Sequence, residues 1–217
     1  MKKQTLLSVI AGAALLAVSS LSHAAVTDAS GDIVTSYTGT HAANGDLDVL
    51  SADMVYNSAS NSFTLTATMN GAIGLTAGAT YVWGVQTAPT GGSNFSSLGL
   101  PDIKWNSLVT LNNTGGGTIS GGTVIPPGST VISGNTITAT IGAGALQPLF
   151  GASLTPGAYT WNLWPRDNSV TGTGAITDFA PNTANQAVGV VPEPGSYALM
   201  ALGLGALGVV ARRRRAA

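Results

Sequence analysis

The 217-residue sequence carries eight Lys or Arg, nine Asp or Glu, a formal net charge of −1 and no cysteine. Six of the eight cations sit at the two ends, so residues 25–190 hold eight aspartates against only Lys104 and Arg166. This balance excludes a basic nucleic-acid face, charge-driven docking on anionic lipid, and any disulfide or thiol chemistry.

At the start of the chain, Lys2 and Lys3 precede an uncharged apolar run over residues 6–18. Ser22 and Ala24 then offer small side chains at the −3 and −1 positions of a signal-peptidase site. Residues 1–24 are therefore expected to be a signal peptide, cut between Ala24 and Ala25. Residues 25–190 are expected to be an exported domain, long enough for one sizeable core.

The acidic residues concentrate early in that domain, with Asp28, Asp32, Asp46, Asp48 and Asp53 beside Gly and Asn. Hard cations bind clustered carboxylates and carbonyls, so these five are candidate calcium ligands. Asp46 and Asp48 are two apart and are expected on one strand face. The competing reading is a set of turn aspartates bonding their own backbone, because no EF-hand loop or nonapeptide repeat is present. His41, in "GTHAANG", is the one histidine after the signal peptide, and no nucleophile motif accompanies it. Catalysis is not expected, although an aspartate pair leaves a secreted hydrolase as an alternative.

Strand patterning fills the rest of the domain. Residues 63–70, "FTLTATMN", alternate apolar and Thr with the period of a half-buried strand, and residues 47–56 precede them across "NSASNS", a hairpin loop. Residues 80–87 and 102–111 read as further strands, and residues 131–141 as two strand pieces around Ser-Gly-Asn. In residues 158–164, Tyr159, Trp161 and Leu163 alternate with Thr160, Asn162 and Trp164. That pattern puts Tyr159 and Trp161 in the core and makes Trp164 the candidate for stacking on a sugar. Residues 88–97 and 112–122 read as Gly-rich loops, and residues 144–152 as at most one helical turn. Many short strands between turn signals predict an all-β fold, an antiparallel β-sandwich, followed by a single C-terminal transmembrane helix.

The tail is built differently. Pro192, Glu193 and Pro194 precede residues 195–211, an uncharged span of 17 residues, and then Arg212, Arg213, Arg214 and Arg215. A helix of that length covers about 25 Å, the lower end of a bilayer core. Four adjacent arginines cannot enter a protein core, whereas they suit the cytoplasmic side of a membrane. "GLGALG" (residues 203–208) has the spacing of a dinucleotide fingerprint, but no strand precedes it and no acidic ribose partner follows.

A Pro-Glu-Pro tripeptide, an apolar span and a terminal arginine cluster together resemble the PEP-CTERM sorting signal, here over residues 191–217. The resemblance implies an exosortase as partner, in a Gram-negative bacterium. It also implies an inner-membrane precursor processed to a cell-surface or extracellular-matrix protein, associated with extracellular polysaccharide and biofilm. Signal peptidase and the membrane are the other expected partners. The reading is a non-enzymatic surface protein; the alternative is a calcium-dependent glycan-binding module using Trp164.

Overall fold

In the computed structural model, the structure describes residues 24–90, 92–146, 153–191, 195 and 202–204. The chain divides into two compact units. One comprises residues 23–193; the other comprises residues 1–22 and 194–217, of which residues 195 and 202–204 are described, all helical. The signal peptide before Ala24, Pro192, Glu193, Pro194, the four arginines and most of the apolar span lie outside the described residues. Among the described residues, no helix is long and apolar enough to cross a membrane.

The larger unit is mostly β, and nearly all of its strand pairs are antiparallel. One six-stranded sheet contains β1 (Val26–Thr27), β2 (Val49–Asn57), β3 (Ser62–Met69), β10 (Thr130–Ser133), β11 (Thr136–Gly142) and β14 (Gly189–Val191). The other contains β4 (Thr80–Gln86), β7 (Ser107–Asn112), β8 (Gly117–Ile119), β9 (Thr123–Ile125), β12 (Thr160–Arg166) and β13 (Gln186–Ala187). A small hairpin pairs β5 (Ser93–Phe95) with β6 (Leu100–Trp105). β1 and β14 share one edge of β2, β1 antiparallel at Ala52 and β14 parallel at Val55 to Asn57.

Local sequence explains the hairpins. The β2–β3 turn closes on Asn57, whose Oδ1 accepts from the N–H groups of Ala59 and Ser60, and Asn61 adopts φ +48° to complete it. The β10–β11 turn is two residues long with Gly134 at φ +60°, a conformation that favours glycine. β3 buries Phe63, Leu65, Ala67 and Met69 completely, while Thr66 and Thr68 meet Thr138 and Thr136 across the pair. The period-2 expectation holds there.

The two sheets meet face to face in one core. Phe63, Leu65 and Ile137 of the first sheet join Tyr81, Trp83, Val109, Trp161 and Leu163 of the second in one cluster. The Phe63 and Tyr159 rings stack across the interface with centroids 5.7 Å apart. A second cluster forms on the outer face of the β4–β12 sheet, where Val82 and Trp164 pack against Phe95, Ile103, Ile176 and Phe179. The β5–β6 hairpin therefore covers that face.

Two sequence expectations change. Residues 102–111 are not one strand: Asn106 breaks them, its Oδ1 accepting from both Thr87 N–H and Thr87 Oγ1, so β6 enters the hairpin and β7 the sheet. The Gly-rich stretches contain strands β5 and β8, since extended backbone needs only a partner; β8 lies between β7 and β9, and a Cβ on its Gly117 would collide with the Thr110 carbonyl.

Trp164 lies directly over Gly84, where an added Cβ would collide with its ring. Gly84→Ala should therefore overpack this layer and cost about 1–3 kcal/mol. Thermal denaturation should show a drop of several degrees, whereas Gly128→Ala, with nothing within 4 Å of its Cβ position, should leave the melting temperature nearly unchanged.

Candidate functional site

The last described strand of the domain ends at Val191, the residue before the tripeptide. Val190 and Val191 pair with Tyr56 and Asn57, and Ser58 Oγ donates to the Val191 carbonyl at 3.3 Å. Pro192 has no N–H to continue the ladder, and Pro194 removes the next donor but one. Both valines are more than 40% exposed, so the last described strand lies at the surface.

The early aspartates separate into distinct environments. Asp46 lies in the turn before β2 and is fully buried; Thr76 N–H and Thr76 Oγ1 donate to its carboxylate at 2.6 and 2.7 Å. Asp48 Oδ2 instead accepts from Gly31 N–H at 2.8 Å and Asn70 Nδ2 at 3.0 Å. The expected shared strand face does not exist, because both residues precede the strand and each side chain turns to a different loop. Asp53 lies within β2, opposite Thr66.

Asp28 and Asp32 do come together, and the structure adds Asp178 to them. One carboxylate oxygen from each of the three lies within 4.8 Å of the others. Asn182 Nδ2 donates to both Asp28 Oδ1 and Asp32 Oδ2 at 3.1 Å. Asp178 is completely buried and accepts from the N–H groups of Val49 and Phe179 at 2.8 and 2.7 Å. Burial, with Asp32 alongside, pushes Asp28 up to about 6, and burial pushes Asp178 up to about 8. Sequence reasoning missed Asp178 because 125 residues separate it from Asp53 and "DFAP" carries no ligand spacing. Beside the cluster, a cleft of about 520 Å³ is lined by the polar residues Asp32, Thr35, Ser36, Ser97 and Asn182 and by the apolar residues Val34, Leu98, Leu100 and Phe179.

His41 also has a partner. Its Nδ1 lies 2.8 Å from Asp167 Oδ2, which also accepts from Tyr37 OH at 2.6 Å, while Ser169 N–H and Oγ donate to Oδ1. Gly39 is required here: a Cβ would lie 2.6 Å from Asp167 Oδ2. Burial alone would raise Asp167, but donation from Ser169, Tyr37 and His41 outweighs it and holds the carboxyl well below the usual range. Burial and this carboxylate push the Tyr37 phenol up to about 12, which keeps it a donor. Among the described residues, no Ser or Thr hydroxyl is hydrogen-bonded to the histidine's other nitrogen.

The aromatic candidates are interior. Tyr159 and Trp161 are buried in the main core, and Trp164 is only 3% exposed, with Phe95, Trp105 and Phe179 around its ring. The alternation that turned Trp164 outward was correct about its face, but the hairpin covers that face. Trp105 and Trp164 still line a second cleft of about 370 Å³ together with Arg166 and Asn168.

Residues 190–215 match the family model of the PEP-CTERM protein-sorting motif. The chain carries that sorting motif. The resemblance read from the tripeptide, the apolar span and the arginines thus has an independent match, confined to the tail. The motif supports sorting by an exosortase through the C-terminus. No curated protein and no solved structure matches the chain.

Asp167 yields a pH prediction. Its folded pKa lies below the unfolded value, so its stabilisation is complete above about pH 4 and is lost as pH falls toward the folded value. Asp167→Asn should lower stability at pH 7 by about 2–3 kcal/mol, the scale of hydrogen bonds to a buried charge. In melting curves from pH 7 down to pH 2.5, the gap between wild type and variant should narrow below pH 4.

Proposed function

We propose that this protein is exported across the inner membrane and held there by its apolar tail. An exosortase then cleaves it near Pro192-Glu193-Pro194 and passes it to the cell surface or the extracellular matrix. The observation that carries this reading is the sorting-motif match over residues 190–215, which begins within the last described strand. Two prolines fix φ and withhold two donors, a chemistry that favours the extended form in which a membrane enzyme would bind a peptide. The apolar span and Arg212, Arg213, Arg214 and Arg215 would keep the C-terminus cytoplasmic until cleavage.

The exported domain is non-enzymatic in this reading, a structural or binding component associated with exopolysaccharide in a biofilm. The engagement of His41 with Asp167, with no hydroxyl nucleophile on the ring among the described residues, supports that. A second reading, calcium-dependent glycan binding, is favoured by the cleft of mixed polar and apolar lining beside the acidic cluster rather than by Trp164. Pull-down on extracellular polysaccharide with and without calcium separates the two: capture that requires calcium favours the second.

The tail itself is tested by changing Pro192 and Pro194 to Ala. This would let helix extend through the tripeptide, while signal peptide and apolar span still direct export and insertion. In a strain with an exosortase, wild type should lose a C-terminal epitope and move outward. The double variant should keep it and remain in the inner membrane as a larger band. Equal retention of the epitope in both would reduce the tripeptide to a linker.

A further inference from the structure

The acidic cluster lacks the groups that would balance it. Between residues 25 and 190 the sequence offers two cations, and both are engaged elsewhere: Lys104 with Asp102 at 3.4 Å, and Arg166 with the Gly172 carbonyl. Asn182 bridges Asp28 and Asp32 but carries no charge. Asp28 Oδ2 and Asp32 Oδ1 are buried without a hydrogen-bond partner. A buried, unpartnered carboxylate oxygen costs free energy, and neighbouring like charges increase that cost.

Asp48 supplies an independent observation. It is 2% exposed, and its Oδ1 is buried and unpartnered. Its other oxygen is tied to Gly31 N–H, in the loop between Asp28 and Asp32, and its charge acts on Asp28. A fourth carboxylate is thus tied to the same loop through Oδ2, while its Oδ1 stays buried without a hydrogen-bond partner among the described residues.

We propose that Asp28, Asp32 and Asp178, supported by Asp48, form a binding site for a divalent cation of the calcium class. Three oxygens no more than 4.8 Å apart lie within about 2.8 Å of a common centre, and small side-chain shifts bring them to calcium's 2.3–2.6 Å. The donors are all hard oxygen and come mainly from loops. That suits the larger, geometrically tolerant ion better than magnesium, which demands a tight octahedron. The ion would join the loop after β1, the turn before β2 and the segment after β12. It would thereby clamp the first residues of the exported domain to a segment 150 residues away. Such a site forms only in the folded chain, so calcium would stabilise the fold in an exterior that supplies it. The inference concerns residues 28–178 and does not depend on how the tail is processed.

The test uses the full-length chain in detergent micelles, stripped with chelator and titrated with calcium chloride. Calorimetry should show one site with a Kd on the order of 10⁻⁴–10⁻³ M, and 10 mM calcium should raise the melting temperature by about 5 °C. Asp178→Asn also disturbs two backbone hydrogen bonds, so Asp32→Asn is the cleaner variant. Without calcium, Asp32→Asn should melt at or above the wild-type temperature, since it removes repulsion. With calcium, it should lose the shift and at least tenfold in affinity. Asp102→Asn, exposed and not one of the clustered carboxylates, should behave as wild type. An unchanged wild-type melting temperature with calcium and with chelator, an undiminished shift in Asp32→Asn, or an equal shift with magnesium would each overturn the assignment.

Discussion

Strands β4 and β12 form a seven-residue antiparallel pair buried on both faces, and the rest of the domain is arranged around it. Inward, Trp83, Trp161 and Leu163 meet the first sheet; outward, Val82 and Trp164 support the β5–β6 hairpin. The end of β12 places Asp167 against Tyr37 and His41, and the chain then returns antiparallel along β12 through isolated bridges at Ile176 and Ala180. That return carries Asp178 to the loop that holds Asp28 and Asp32. A two-faced strand pair thus positions both polar clusters.

A domain with no cysteine needs other long-range ties, and its aspartates provide them. Asp46 joins the turn before β2 to Thr76, Asp48 holds Gly31 and Asn70, Asp167 holds Tyr37 and Ser169, and Asp178 holds Val49. Each is a buried carboxylate accepting N–H or O–H groups, an interaction of about 1.5–3 kcal/mol when the acceptor is charged. Disulfides would supply comparable constraint through the unfolded chain. The carboxylates act in the folded state instead, and the contribution of Asp167, held below its usual range by its donors, falls as pH drops.

What the sequence revealed follows the range of the forces involved. β3 was legible because Phe63, Leu65, Ala67 and Met69 alternate within one strand, and the β2–β3 and β10–β11 turns because Asn57 and Gly134 act on their own backbone. The tail was legible for the same reason, since prolines, span and arginines are consecutive. The break at Asn106 was hidden because it depends on Thr87, and the burial of Trp164 because it depends on a hairpin read as loop. In the acidic cluster, proximity in sequence paired Asp28 with Asp32 but also drew in Asp46, whose partner is Thr76. Asp178 arrives only through the fold.

The position of β14 bears on how such a domain would withstand the proposed loss of its tail. β14 adds to β2 in parallel, at an edge already half occupied by β1, and contributes Val190 and Val191 as exposed side chains. Only Val188, just before it, reaches the main core. Cleavage after Val191 would therefore leave every described strand intact, and fraying of β14 itself would expose an edge rather than open the core. Prolines immediately beyond that edge also limit its use as a template for further strand addition. Under the proposed processing, a cut beyond Val191 would not require the two packed sheets to yield.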